Sequence, residues 1–302
     1  MKRIYMAMVL LMCVQLYAQQ DPQYTQYMYN MNVVNPAYAG SKEALSLGVL
    51  YRWQWSGIDG APRTGTFFGH APIGSNMGLG LSFINDQIGP VMENNVYADF
   101  SYTLKLGGEH RLAFGIKAGA TFHDIGLLDD VSVIDENDPF FSENINSVTP
   151  NIGAGVFYYT EHYYVGFSVP NMLNSVHLDA DGYELGSEVS HYFLTGGYVF
   201  EVSDNTKLKP SFMVKSAFSA PTSFDVNVNA LFYDRFEIGA SYRLDDSFSG
   251  LVNFGITPNL RIGYAYDGVT SDIGKYASSS HEIMLLWDLN FTQKVSRSPR
   301  YF

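Results

Sequence analysis

The residues best suited to chemistry fall in a few places. Asp129, Asp130, Asp135, Glu136, Asp138 and Glu143 crowd together, and close carboxylates can hold a calcium ion. Their spacing does not fit the calcium loop, and no glycine stands at its sharp turn. They read as a solvated surface loop. His123-Asp124 and His281-Glu282 set an imidazole beside a carboxylate, the parts of acid–base catalysis. Consecutive residues of a strand face opposite ways, so neither pair can act as a dyad by itself. The chain has no serine nucleophile elbow and no HExxH motif. Gly78-Leu79-Gly80 and Gly153-Ala154-Gly155 lack the helix that must follow a phosphate loop; glycines on a barrel's inner face make room inside it. The single cysteine, Cys13, follows Met12 rather than the small residue a lipoprotein signal wants. We therefore expect no catalytic residue, cofactor or metal, and a chain that is not an enzyme.

The elements that would position any site are strands. In Leu45-Ser46-Leu47-Gly48-Val49-Leu50-Tyr51-Arg52-Trp53-Gln54-Trp55 every odd position is aliphatic or aromatic, and all but one of the even ones are small or polar. A strand with this pattern has one greasy and one wet wall. From Ala44 onwards the chain carries about fourteen such segments. Met77–Phe83, Val96–Leu106, Leu112–Phe122, Phe224–Phe232, Phe236–Leu244 and His281–Phe291 show it most clearly. Lys105, Lys117, Asp225, Glu237 and Arg243 all fall on the wet phase, and a cation on a lipid face costs roughly 2–4 kcal/mol. A soluble sandwich would alternate in the same way with its greasy face inward. Tyr51, Trp53, Trp55 and Trp287 near strand ends favour a membrane, whose interfaces collect amphipathic rings.

Composition agrees. Only 16% of the 302 residues are charged and 15% are aromatic, against a charged share of about 25% in soluble domains. The net charge of −12 argues against a nucleic-acid partner. Met1–Ala18 reads as a signal peptide, with Lys2 and Arg3 before an apolar run and Ala18 at the cut. Loop lengths alternate as well. With the mature N-terminus in the periplasm, the inner connections are tight: Ile73–Asn76, Gly107–Glu109, Thr160–His162, Ser203–Thr206, Asp234–Arg235 and Pro258–Asn259. The outer set holds every long connection, Ser56–Arg63, Gln87–Glu93, Asp124–Pro150, Pro170–Ser190 and Gly268–Ser278, together with two short ones, Phe218–Pro221 and Asp245–Ser247. Outer-membrane barrels sort their loops in this way.

Gln19–Ser41 has no period, contains Pro22, Pro36 and Gly40, and reads as an extended segment or short turns. Its Gln20-Asp21-Pro22-Gln23-Tyr24-Thr25-Gln26-Tyr27 and Asn35-Pro36-Ala37-Tyr38-Ala39-Gly40 resemble the start of mature PorP/SprF-type proteins. Arg52-Trp53-Gln54-Trp55, with Gly57-Ile58-Asp59-Gly60-Ala61-Pro62-Arg63-Thr64, is similar to that family's first strand and loop. Further likeness lies in Gly78–Asp86, His191–Tyr198, Ser280–Leu285 and the Pro299-Arg300-Tyr301-Phe302 tail. The resemblance implies an outer-membrane component of the type IX secretion and gliding-motility machinery of Bacteroidota. Its partners would be secretion components and a secreted cargo or adhesin, with no catalysis and no cofactor.

We therefore expect an all-β, transmembrane antiparallel β-barrel of about fourteen strands, of the bacterial outer-membrane type. Residues 1–18 form the signal peptide, 19–43 a periplasmic or lumen-entering segment, 44–291 the barrel and 292–302 a periplasmic tail. Leu50, Tyr97, Phe157, Leu231 and Leu286 on the inner phase favour a plugged lumen. The candidate plug or partner-contact residues are Asp21, Pro22, Tyr24, Tyr27, Asn35, Pro36, Trp53, Gln54, Trp55, Gly60 and Pro62. The alternative function is transport of a hydrophobic small molecule.

Overall fold

Alternation along Ala44–Ser56 (β1) sets the geometry of the whole wall. Val49, Tyr51 and Trp53 are exposed on one face, while Ser46, Leu50 and Arg52 are buried on the other. Sixteen more strands follow: β2 (Arg63–Pro72), β3 (Met77–Ile88), β4 (Val91–Gly107), β5 (His110–Ile125), β6 (Ile145–Tyr159), β7 (Tyr163–Val169), β8 (Val176–Ala180), β9 (Tyr183–Ser187), β10 (Tyr192–Tyr198), β11 (Phe200–Ser203), β12 (Thr206–Ser216), β13 (Ser223–Phe232), β14 (Phe236–Arg243), β15 (Ser247–Gly255), β16 (Leu260–Val269) and β17 (Ser279–Asn290). The computed structural model describes residues 22–42, 44–126, 145–173, 176–180, 183–187, 189–217, 220–277 and 279–290.

These strands make a closed antiparallel barrel of fourteen staves. Strands β10 and β11 are two halves of one stave, interrupted at Val199, and both pair with β12. β8 and β9 form a separate hairpin outside the wall. The last strand closes on the first, from Ala44 opposite Asn290 to Trp53 opposite His281. Closure leaves no unpaired edge in lipid. No helix among the described residues is long and apolar enough to cross a membrane.

Outward rows are mostly apolar: Leu81 and Ile116 are each 62% exposed, and Phe100, Val226 and Phe248 point the same way. Leu50, Tyr97, Phe157, Leu231 and Leu286 are buried inside. Lys117, Asp225, Glu237 and Arg243 are buried in the lumen, whereas Lys105 is exposed beside the turn at Gly107.

The long connections lie at the end opposite the tight inner turns, though that end also carries the short link Leu244–Asp246 between β14 and β15. The stretch Gln87–Glu93 reads as a long connection, but β3 runs to Ile88 and β4 begins at Val91, leaving a two-residue turn at Gly89–Pro90. Gly89, at φ +55°, makes that turn. Asn85, Asp86, Glu93 and Asn94 pair as strand residues without a greasy row, since strands that rise past the bilayer have no lipid face to satisfy. In the same way β6 starts at Ile145, ahead of the expected Asn151. The acidic cluster 129–143 lies outside the described residues, as do 1–21 and 291–302.

Residues 22–42 fill the lumen. They run from the long-loop end, where Pro22 and Gln23 sit, down to Gly40 near the short-turn end, and β1 then climbs back. The chain descends through single turns at Tyr27–Tyr29, Met31–Val34 and Pro36–Tyr38. Asn35 caps the last of these by accepting from Ala37 N at 3.0 Å. Wall glycines admit this backbone. A Cβ on Gly78 would overlap Ala39 O, and one on Gly115 would overlap Ala37 N. Gly78→Val should therefore push the segment away and break the Ser101 Oγ–Ala39 O bond (2.5 Å). We expect a folded barrel destabilised by about 1–3 kcal/mol in urea unfolding from vesicles, with residues 22–42 newly open to protease. An unchanged midpoint together with unchanged protease resistance would contradict this packing.

Candidate functional site in the lumen

The inner wall carries charged side chains of both signs, each buried beside an opposite one. Arg52 lies 2.7 Å from Asp267 and 3.3 Å from Glu282. Lys117 lies 2.9 Å from Asp99. Arg243 lies 2.6 Å from Asp225 and 3.2 Å from Asp246. Glu237 takes Lys209 at 2.9 Å and Arg261 at 3.2 Å. Three of these pairs face each other directly across neighbouring strands: Arg52 and Glu282, Asp99 and Lys117, Asp225 and Arg243. A slip of one residue would turn such charges toward lipid, so the pairs lock strand register.

Each cluster also holds the lumen segment. Arg243 donates to Gln23 Oε1 (3.0 Å) and to the Tyr24 carbonyl (3.3 Å). Thr25 sits inside the Arg52 cluster: its Oγ1 accepts from Arg52 (3.0 Å) and donates to Asp267 (2.7 Å). The backbone N–H groups of Thr25 and Gln26 each donate to Glu282 at 2.9 Å. Lys117 Nζ donates to Asn32 O at 3.4 Å. Tyr29 donates its hydroxyl to Glu237 and accepts from Lys209 Nζ at 3.1 Å. Neutral contacts continue the bracing: Asn35 Nδ2 to Val156 O, Ser168 Oγ to Val34 O, and Gly40 N to His70 Nδ1. Tyr38 packs edge-on against His70 and Phe157, each at 5.3 Å.

This arrangement binds and holds a peptide. Among the described residues no group of three His, Cys, Asp or Glu side chains could hold a metal ion. His281 and Glu282 diverge, with Glu282 buried in the lumen and His281 bonded to Tyr264 Oη at 2.7 Å on the outer side.

The eleven candidate positions separate into two places. Tyr24, Tyr27, Asn35 and Pro36 are buried in the lumen, and Pro22 lines the cleft at its outer mouth. Trp53, Gln54, Trp55, Gly60 and Pro62 sit at the outer rim, where Gly60 O accepts from Gly89 N and Pro62 O from Gln54 N. Asp21 lies outside the described residues. The residues that grip the segment, Arg52, Asp267, Glu282, Arg243 and Glu237, were not among the candidates. Their signal was present: each is a charge on the wet phase of a strand, and a buried charge requires a partner.

Residues 16–287 match the family model for the type IX secretion system membrane protein PorP/SprF. The chain belongs to the PorP/SprF family. Solved structures with a similar fold include outer-membrane barrels. The Ralstonia pickettii toluene transporter TbuX is 11% identical over 86% of this chain and 93% of its own, with a TM-score of 0.53. The CymD monoaromatic hydrocarbon channel is 12% identical over 87% and 93%, at 0.52. Omp33 of Acinetobacter baumannii is 10% identical over 83% and 100%, at 0.50. At such identities the likeness is one of fold. No curated protein matches the chain. This PorP/SprF protein is thus an outer-membrane barrel of the type IX secretion system whose lumen is occupied by its own residues 22–42.

Breaking one buried pair tests the bracing. Lys117→Met leaves Asp99 buried without its cation and should cost about 3–5 kcal/mol in vesicle unfolding. The double variant Lys117→Met/Asp99→Leu should recover most of that loss. Equal stability of the single variant and the wild type would show that the pair does not matter.

Proposed function

We propose that this PorP/SprF barrel acts without catalysis, as a scaffold in the type IX machinery that supports secretion or surface attachment of a cargo protein such as an adhesin. It does so through protein–protein contacts, in a bacterium that uses the machinery for gliding as well as secretion. Met1–Ala18 directs export as a signal peptide and is then removed. The observation that supports this reading is the occupied lumen. Residues 22–42 are gripped along their length by the Arg52, Lys117, Arg243 and Glu237 clusters, so the barrel offers surfaces rather than a through channel.

The second reading, transport of a hydrophobic small molecule, finds some support at the outer mouth. A cleft there is lined by Tyr24, Val34, Tyr97, Phe193 and Met213. Its volume is about 80 Å³, whereas an apolar cavity of about 150 Å³ is the size that takes up benzene. The cleft suits a few waters or the tip of one side chain better than a travelling ligand.

Deleting Gln20–Gly40 separates the two readings. We expect wild-type protein in planar bilayers to pass almost no current and the deletion variant to conduct. In cells, the deletion should abolish surface display of the cargo while the barrel still reaches the outer membrane. Affinity purification from native outer membrane should bring down secretion components and one large surface protein. Normal display by the deletion variant would sink the scaffold reading, and uptake of an aromatic hydrocarbon by the wild type would favour the transporter.

A further inference from the structure

The outer wall carries a second depression, on the side away from the lumen. Near its outer end β1 leaves regular pairing: its register with β17 shifts between Trp53 and Ser56. Trp55 sits there at φ +52°, a left-handed conformation that bulky residues rarely adopt. Gln54 N turns to Pro62 O and Trp55 N to Ser280 Oγ, each at 3.0 Å. The bulge opens a groove of about 440 Å³ under the β1–β2 loop, lined by Trp53, Trp55, Ile58, Arg63, Tyr264 and Ile283 among others. Strained backbone of this kind concentrates at binding sites. The groove floor is stiffened by the Tyr264 Oη–His281 Nδ1 bond (2.7 Å) and by Tyr266 edge-on to His281 at 5.4 Å.

The groove faces the bilayer. Trp53, Tyr264 and Ile283 belong to the outward row, 37%, 39% and 42% exposed, together with Val49 and Leu285 below them. Arg52 and Glu282, their chain neighbours, point into the lumen instead. The groove also lies at the long-loop end of β1 and β17, the height at which aromatic girdles meet the headgroups. Its charge is positive. Arg63 is exposed and makes no ion pair among the described residues. Asp59, the acid of the same loop, is not part of the lining. An apolar slot that opens sideways into lipid, with one guanidinium at its upper edge, matches an acyl chain with a phosphate above it.

We propose that this groove binds an anionic acyl lipid of the surrounding leaflet, its chain against Trp53, Tyr264 and Ile283 and its phosphate against Arg63. Trp53, Trp55 and Trp287 are the chain's only tryptophans. Trp287 lies opposite Leu47 and Leu260, at the short-turn end. Trp287→Phe therefore leaves fluorescence that reports from the groove alone.

The full-length Trp287→Phe protein would be reconstituted in phosphatidylcholine vesicles containing dibrominated phosphatidylglycerol or dibrominated phosphatidylcholine. Bromine quenches tryptophan on contact. We expect a relative binding constant about fivefold higher for the anionic lipid, the effect of one basic residue at an anionic surface. Adding Arg63→Gln should bring the two lipids to parity, and Arg63→Lys should retain the preference. Heat-modifiable mobility on gels checks that each variant is folded. Equal quenching by both lipids, or a preference that survives Arg63→Gln, would overturn the proposal. So would the absence of quenching by either lipid, which would mark the groove as closed to the bilayer and reserved for protein.

Discussion

A ring of fourteen strands encloses more space than its own side chains can fill; about eight strands is where filling comes easily. Everything else in this molecule follows from how that surplus is taken up. The chain spends its first described residues, 22–42, on the task and shapes the inner wall to receive them. Glycine stands where the inserted backbone comes closest, as at Gly78 and Gly115. Charge stands where its polar groups need partners, as at Glu282 for the Thr25 and Gln26 amides. Aromatic surface from Phe157 and Tyr164 meets Tyr27 and Tyr38 in one continuous buried cluster.

Ion pairs buried at this depth add little net stability when set against apolar residues of the same volume, because taking two charges out of water cancels most of their attraction. Their contribution here is placement. Arg52 and Glu282, Asp99 and Lys117, and Asp225 and Arg243 bridge adjacent staves at fixed heights, and each then offers a spare donor or acceptor to the inserted segment. A wall braced in this way presents one inner surface, and the segment has one seat within it.

Much of the wall could be read from alternation alone, because lipid outside and polar contacts inside demand opposite residues at successive positions. The same rule explains where that reading stopped. Gln87–Glu93 pairs as strand apart from the turn at Gly89–Pro90, beyond the height where a greasy row is required, and so looked like loop. The five apolar residues on the wet phase, Leu50, Tyr97, Phe157, Leu231 and Leu286, pointed to an occupied lumen, and all are buried. The grip itself was hidden for two reasons. Arg52 meets Glu282 across 230 positions of sequence, and one sequence does not reveal strand register. Thr25 and Gln26 hold Glu282 through backbone amides, which every residue type except proline carries.

The Arg52 cluster also straddles the place where the barrel shuts. Arg52 stands on the first strand and Glu282 on the last, and Thr25 and Gln26 are seated between them. The segment enters from the long-loop end and leaves at the short-turn end directly into β1. Three separated parts of the chain therefore meet at one seam. The first and last staves share a buried charge pair there, and the segment's amides and the Thr25 hydroxyl bond to that same pair. The hydrogen-bond ladder closes the wall, and the lumen segment stitches the same two staves together from within, so the seam is a three-way joint rather than a simple strand pairing.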